Sequence, residues 1–477
     1  MKKLTKLLSL FLLIAVFLSC TQTSSPVTGG AEDGENPLPS TDGWIEATAE
    51  TVVRIIKNVK DAESCKIRVT GPITDETIDA MNAVLNGEHD VGVSFIPASI
   101  ELDLSQTTGL TALKERAFYD IFTLVGIKLP EGITSIGNSS FKNCSRLRHI
   151  YLPDSLTKID EDAFRFCTEL LEIKISKNVS ELKENPFAGC KSLTSFIVNA
   201  ENPYFSSSDD RKVLLNKDKT ILLSFPSATN ESDILESVTV IGAKAFSGCA
   251  MTNFTIPDGV TTIEYEAFSL CQDLTSLILP NTLTTLGKQV FSQCNKLTTL
   301  QLPPSLVTLE EKVFYFWGGL KNISIPDTVT SIGESAFAFC DNLSNIEIPN
   351  SVTEIGSGAF SYCENLLNIK IPNSVTEIGL GTFSNCKSLA SVEIPESIIE
   401  IDSFTFEDCT NLESITIPET VSEIGIYVFN GCTNLKEVIF EDTQGWKINS
   451  KTIDVTDSEE NVTYFKETYV TDFWNKS

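Results

Sequence analysis

The sequence predicts a repeat solenoid, mainly β with short strands and turns, closed at its N-terminus by a small α/β cap. Three observations carry this. Eleven cysteines, Cys144, Cys167, Cys190, Cys249, Cys271, Cys294, Cys340, Cys363, Cys386, Cys409 and Cys432, fall almost always 23 residues apart. A phenylalanine stands three residues before each of them, and before Trp317, which fills the missing step of the cysteine column. Finally, 42% of the 477 residues are apolar although the formal charge is -28, the signature of a folded acidic body and not of a disordered chain. A fixed period of this length means stacked units that bury a core only together.

Taken in order, the chain begins with Lys2, Lys3 and Lys6 ahead of an apolar run from Leu7 to Leu18. That run is too short to span a bilayer and suits the apolar region of a secretory signal. Phe17-Leu18-Ser19-Cys20 resembles the lipobox of bacterial lipoproteins, with Phe17 where Leu or Val is usual. The resemblance implies removal of residues 1–19, a lipid on Cys20, and attachment to a membrane through that lipid. Residues 20–44, which include SSPVTGGAEDGENPLPSTDG, read as a flexible tether.

Residues 45–104 read as the cap. Val52, Val53, Ile55, Ile56 and Val59 share a helical face, Cys65, Ile67 and Val69 alternate as a strand, and Thr74-Asp75-Glu76 opens a second helix carrying Ile78, Met81 and Leu85. Ile100, Leu102 and Leu104 alternate again, giving helix, strand, helix, strand.

Residues 105–440 form the array. Its best-kept copy runs Leu343-Ser-Asn-Ile346-Glu-Ile348-Pro349-Asn-Ser-Val352-Thr-Glu-Ile355-Gly356-Ser-Gly-Ala359-Phe360-Ser-Tyr-Cys363. Ile346 and Ile348 point inward from a short strand that Pro349 ends by withholding an amide donor. Val352 and Ile355 point inward from a second extended segment, Gly356 is expected to allow a sharp turn, and Ala359, Phe360 and Cys363 fill the far wall. An earlier Phe118, with Ile121 in the cysteine column, makes thirteen phenylalanine rungs, which at about 4.8 Å each give a rod or arc of roughly 60 Å. The step from Cys190 to Cys249 carries an insertion at about 199–234, with a β-hairpin expected to project around Asn216-Lys217-Asp218-Lys219. Residues 441–477, which contain Trp446 and Trp474, are expected to cap the C-terminus.

The pattern quoted from residues 343–363 resembles the BspA-like class of leucine-rich repeats found in bacterial surface antigens, and recurs in register a dozen times. The resemblance covers about residues 100–440. It implies a leucine-rich-repeat solenoid of 23-residue period on a surface-displayed binding protein, with attachment to host matrix proteins or to other bacteria among the known roles. It carries over neither a particular ligand nor a catalytic motif.

Several function classes are disfavoured by the residues themselves. A net negative field repels phosphate backbones, so no nucleic acid is expected. Zinc needs clustered ligands, and no C-x-x-C pair exists. A cysteine column that accepts Trp317 and Ile121 behaves as a small apolar core position, so the thiols are expected buried and free. No nucleophile elbow, H-E-x-x-H or glycine-rich phosphate loop occurs, so the chain is expected not to be an enzyme and to need no cofactor or metal.

What remains is binding, by a monomer. One candidate surface is the outward strand column, which varies freely and includes Tyr151, with His149 beside it. A sharper one is aromatic: Phe316, Phe339 and Tyr362 precede the cysteine column in three consecutive repeats, with Tyr315 and Trp317 adjoining. Aromatic side chains are favoured interface anchors. The expected function is a lipid-anchored protein, on the outer membrane or cell surface, that binds a host matrix protein or another bacterial surface protein or glycan. The alternative is a structural lipoprotein facing the periplasm.

Overall fold

The computed structural model describes residues 43–59, 64–86, 99–210, 212–227, 234–468 and 470–476. The signal segment, Cys20 and the tether as far as residue 42 lie outside them.

The cap is built from β1 (Ile45–Thr48), α1 (Val52–Asn58), β2 (Cys65–Pro72), α2 (Asp75–Leu85) and β3 (Ile100–Thr108). The three strands pair in parallel, and β3 pairs in turn with Leu124–Lys128 of the first repeat. The cap thus supplies the first rungs of a repeat sheet. Strand β1 was not expected: of its four residues only Ala47 is buried, so it carries no alternating pattern. Both helices bury the faces read from sequence, with Val52, Ile55 and Ile56 on one and Ile78, Met81 and Leu85 on the other.

Each turn of the solenoid has three sides. The first is the Ile-x-Ile strand: Asn345–Glu347, Asn368–Lys370 and Ser391–Glu393 pair in parallel, so Ile346, Ile369 and Val392 stand in line. The second is a two-residue strand such as Ser331–Ile332, Glu354–Ile355 or Glu377–Ile378. Threonine precedes it because the hydroxyl and amide of Thr353 both donate to the carbonyl of Thr330, at 3.3 and 2.9 Å. The third side is a wall of turns. Its rings form the spine of the core, with Phe337 and Phe360 stacked at 5.3 Å and 3°. About 16 turns result, more than the phenylalanines alone count, since the cap and the insertion add rungs.

Gly356 serves close approach, since its backbone is not left-handed. A Cβ there would lie 2.7 Å from the Glu334 amide nitrogen of the preceding repeat.

The insertion differs from expectation in one respect. Its hairpin, Leu214–Asn216 with Ile221–Ser224, exists, but it does not project. Ile221–Ser224 pairs in parallel with Val240–Ile241 and becomes a rung of the second sheet, and Leu215 and Leu222 are fully buried. Phe225 stacks on Phe246 at 4.6 Å, taking the place of the preceding repeat's phenylalanine. The core is nevertheless divided here. One buried cluster runs from Ala47 to Leu214 and another from Val213 to Trp474.

Polar contacts tie the halves together. The Gly189 amide donates to the Ser247 carbonyl at 2.8 Å, and Asn185 Nδ2 to the Lys244 carbonyl at 2.8 Å. Lys244, its side chain 3% exposed, pairs with Glu184 at 2.9 Å, Asp162 at 3.4 Å and Glu161. Burial opposes its charge, but these carboxylates hold its pKa above the ordinary lysine value.

At the far end Trp446, Phe465 and Trp474 cover the last rung. Strand Trp474–Lys476 pairs antiparallel with Glu423–Ile424, ending the parallel second sheet.

Candidate binding face

The wall of turns owes its shape to an alternation of amides. In Gly358–Cys363 the amides of Gly358, Phe360 and Tyr362 donate to Leu380, Thr382 and Ser384 of the next repeat, at 2.8, 3.0 and 2.8 Å. Those of Ala359, Ser361 and Cys363 close turns within their own repeat. The alternation places two positions per repeat in the left-handed region, the second being the residue before the cysteine column.

That second position is occupied cheaply by Asn143, Gly189, Gly248, Asn385, Asp408 and Gly431. Phe316, Phe339 and Tyr362 adopt the same conformation at φ +54°, +61° and +58°. For such side chains this costs roughly 1–2 kcal/mol each. Their mutual stacking offsets part of it, at about 0.5–1.5 kcal/mol per pair: Phe316 lies 4.2 Å from Phe339 with planes at 4°, and Phe339 lies 4.4 Å from Tyr362 at 10°. Phe316 remains 42% and Tyr362 38% exposed, with Phe339 between them half-buried. The strip is therefore a surface feature that the fold does not require.

Of its two expected neighbours, Tyr315 is half-buried and sets its ring at 90° to Phe316. Trp317 belongs to the core, contrary to expectation. It is fully buried, packs between Phe291 and Phe314, and donates its indole N–H to the Leu297 carbonyl. As occupant of the cysteine column it points inward, as every member of that column does.

A second pair was missed. Phe404 and Tyr427 occupy the first left-handed position, four residues before the second, and stack at 5.2 Å. Reading that column across repeats finds them, since its other members are mostly small or charged.

His149 and Tyr151 sit elsewhere, on the strand side near the cap, with ring centroids 6.1 Å apart. The His149 ring lies over Gly126 and its Nε2 is 3.6 Å from Glu101 Oε1. His149 and Lys66 hold the Glu101 carboxyl below its ordinary value against the opposing effect of burial. Tyr151 is 54% exposed but lacks aromatic neighbours beyond His149 among the described residues. The structure does not bring this pair together with the strip.

The eleven cysteines of the column are free and buried, and Cys65 in the cap is buried as well. Cys363 donates its thiol to the Phe337 carbonyl, and burial pushes its pKa up to about 12, far from reactivity. Among the described residues no cluster of His, Cys, Asp or Glu is placed to hold a metal ion, and no helix is long and apolar enough to cross a membrane.

With this geometry in place, the repeat matches the family model described as BspA type leucine rich repeat region, in six copies over residues 99–208, 227–344 and 330–453. The chain belongs to the BspA-type leucine-rich-repeat family. Repeats of this class generally serve as binding scaffolds without enzymatic activity, and the family is that of bacterial surface antigens. A search of the curated proteins found no match. Among solved structures, the chain is similar to a leucine-rich repeat protein from Bacteroides ovatus, at 29% identity over 69% of this chain and 76% of that one, with a TM-score of 0.42. It is also similar to a leucine rich cell surface protein from Faecalibacterium prausnitzii, at 22% identity over 89% and 97% of the two chains, with a TM-score of 0.43. A third is the pneumococcal vaccine antigen PcpA, at 18% identity over 86% and 96%, with a TM-score of 0.40.

Proposed function

We propose that this BspA-type chain is an exported lipoprotein, anchored through Cys20 to the outer membrane or cell surface, that binds an extracellular protein or glycan through its repeat surface. One observation carries the reading. Three large aromatic side chains, Phe316 and Tyr362 exposed with Phe339 half-buried between them, are kept in register at a backbone cost, where Asn or Gly serves the fold equally well. The partners in view are a host matrix protein or another bacterial surface molecule, met by a monomer. The lysine-led apolar run before Cys20 supports export, and the cysteine in its lipobox-like setting supports the anchor.

The test has two arms. Labelled palmitate should enter the wild-type chain and not a Cys20→Ser variant. Protease added to intact cells should degrade the protein; protection until the outer membrane is breached would instead make it a periplasmic scaffold. Pull-downs from host matrix and from neighbouring bacterial surfaces then identify the partner.

A further inference from the structure

Resting on that binding role, we infer that the aromatic strip of the turn wall docks a basic protein segment with an apolar face, and not a sugar chain.

The strip offers ring edges. Both faces of Phe339 are covered, one by Phe316 at 4.2 Å and the other by Tyr362 at 4.4 Å, and Tyr315 stands perpendicular beside them at 5.6 Å. A sugar ring is held by laying its C–H face on an open aromatic face, which the centre of this stack withholds. Apolar side chains of a protein pack on ring edges as well as faces. On the same wall the apolar character continues with the stacked Phe404 and Tyr427 and with Leu380, which is 46% exposed. The whole makes a surface suited to several side chains in succession.

Charge selects the sign of the partner. Residues 111–200 carry twelve Lys and Arg against eleven Asp and Glu, close to neutral. Residues 321–440, which hold most of the strip, carry four against seventeen. In these same repeats a groove of about 580 Å³ runs along the second sheet, lined by Glu354, Glu377, Glu400 and Asp402 with Ile399. No ion pair reaches those four carboxylates among the described residues. Burial raises the Glu400 pKa, and the charges of Asp402, Glu423 and Glu377 add to it, so this side is uncompensated. Gly356, Ser357 and Gly379, where the second sheet turns into the wall, line the groove as well, so a segment alternating cationic and apolar side chains that crosses this corner matches both features: its apolar residues meet the ring edges and its cations meet the carboxylates.

The test measures binding of the full chain to three probes: a synthetic peptide alternating lysine and leucine, its glutamate–leucine counterpart, and a cellulose hexaose. The lysine–leucine peptide should bind, more weakly at high salt, and the other two should not. Replacing Phe316, Phe339 and Tyr362 together by Asn, the residue this column carries at 143 and 385, should weaken binding about tenfold or more without unfolding the chain. Glu377→Gln with Glu400→Gln should weaken it too and flatten the salt dependence. Equal binding of the glutamate peptide, hexaose binding lost in the Asn variant, or a lysine–leucine affinity indifferent to both sets of changes overturns the inference. Partner capture from cell surfaces that survives the Asn variant overturns it while leaving the binding role intact; no capture from any surface removes the binding role itself.

Discussion

The thiol of Cys363 donates to the carbonyl oxygen of Phe337, one repeat earlier, at 3.2 Å. The same bond recurs down the column, from Cys144 to Phe118 at 3.0 Å through Cys432 to Phe406 at 3.0 Å. Cysteine fits because it is small, apolar and still a weak donor. Cys363→Ala, which loses the sulfur contacts and the donor, should cost about 1–2 kcal/mol in chemical denaturation. Thiol-reactive reagent at mildly alkaline pH should leave the eleven column cysteines unmodified until denaturant is added, since burial raises their pKa values well above the ordinary thiol value. Rapid native labelling at any of these positions would contradict that burial.

The two phenylalanines of one repeat should respond very differently to substitution. Phe337 is fully buried in the ring stack, so Phe337→Ala should cost about 3–5 kcal/mol. Phe339→Asn loses two stacking contacts but relieves a left-handed aromatic, so stability should change by no more than about 1 kcal/mol. Melting temperatures of the pair decide the matter.

Lys244 joins two halves whose cores are separate. Lys244→Met leaves Glu161, Asp162 and Glu184 without their shared cation. The cost should be about 2–3 kcal/mol, below that of a fully buried pair because Glu161 and Glu184 are partly exposed and Lys142 still reaches Asp162 at 2.7 Å. Calorimetry should then resolve two unfolding transitions where the wild type shows greater overlap.

Acid should act with opposite sign on the two halves. Burial works against the Asp162 charge, but Lys142, Arg165 and Lys244 prevail and lower its pKa from the ordinary 3.8. Its contribution is present above that value and is lost as pH falls through the lowered one. Glu400 is raised from 4.5, so the folded state takes up its proton first, and stability rises as pH falls toward 4.5. Hydrogen exchange followed from neutral pH through pH 4.5 and below should show the C-terminal repeats protected more at the first step and the 161–165 region less at the second.

The period was legible because the inward positions admit little variation. Phe360, Cys363, Ile346 and Ile355 each meet the same residue type one repeat away, so stacking writes itself into the spacing. The aromatic strip was legible by the same means, as a run in one column. Trp317 was misjudged because it is a cysteine-column residue that happens to be aromatic, and its column, not its chemistry, decides where it points. The left-handed backbone that gives Phe339 its meaning leaves only a faint trace, the Asn, Asp and Gly of other repeats. The hairpin was visible, yet its docking was not, since pairing of Ile221 with Val240 depends on a two-residue strand too short to show alternation.

The antiparallel strand Trp474–Lys476 gives the molecule a fixed length. A parallel stack ends in a row of unmet backbone donors and acceptors that would accept a further rung from any copy of the same chain. A strand running the other way satisfies Glu423–Ile424, and its far side is taken by Trp446–Ile448, so no parallel repeat can add there. It acts as a chain terminator, so a protein made of self-complementary units is kept from growing end to end into a filament.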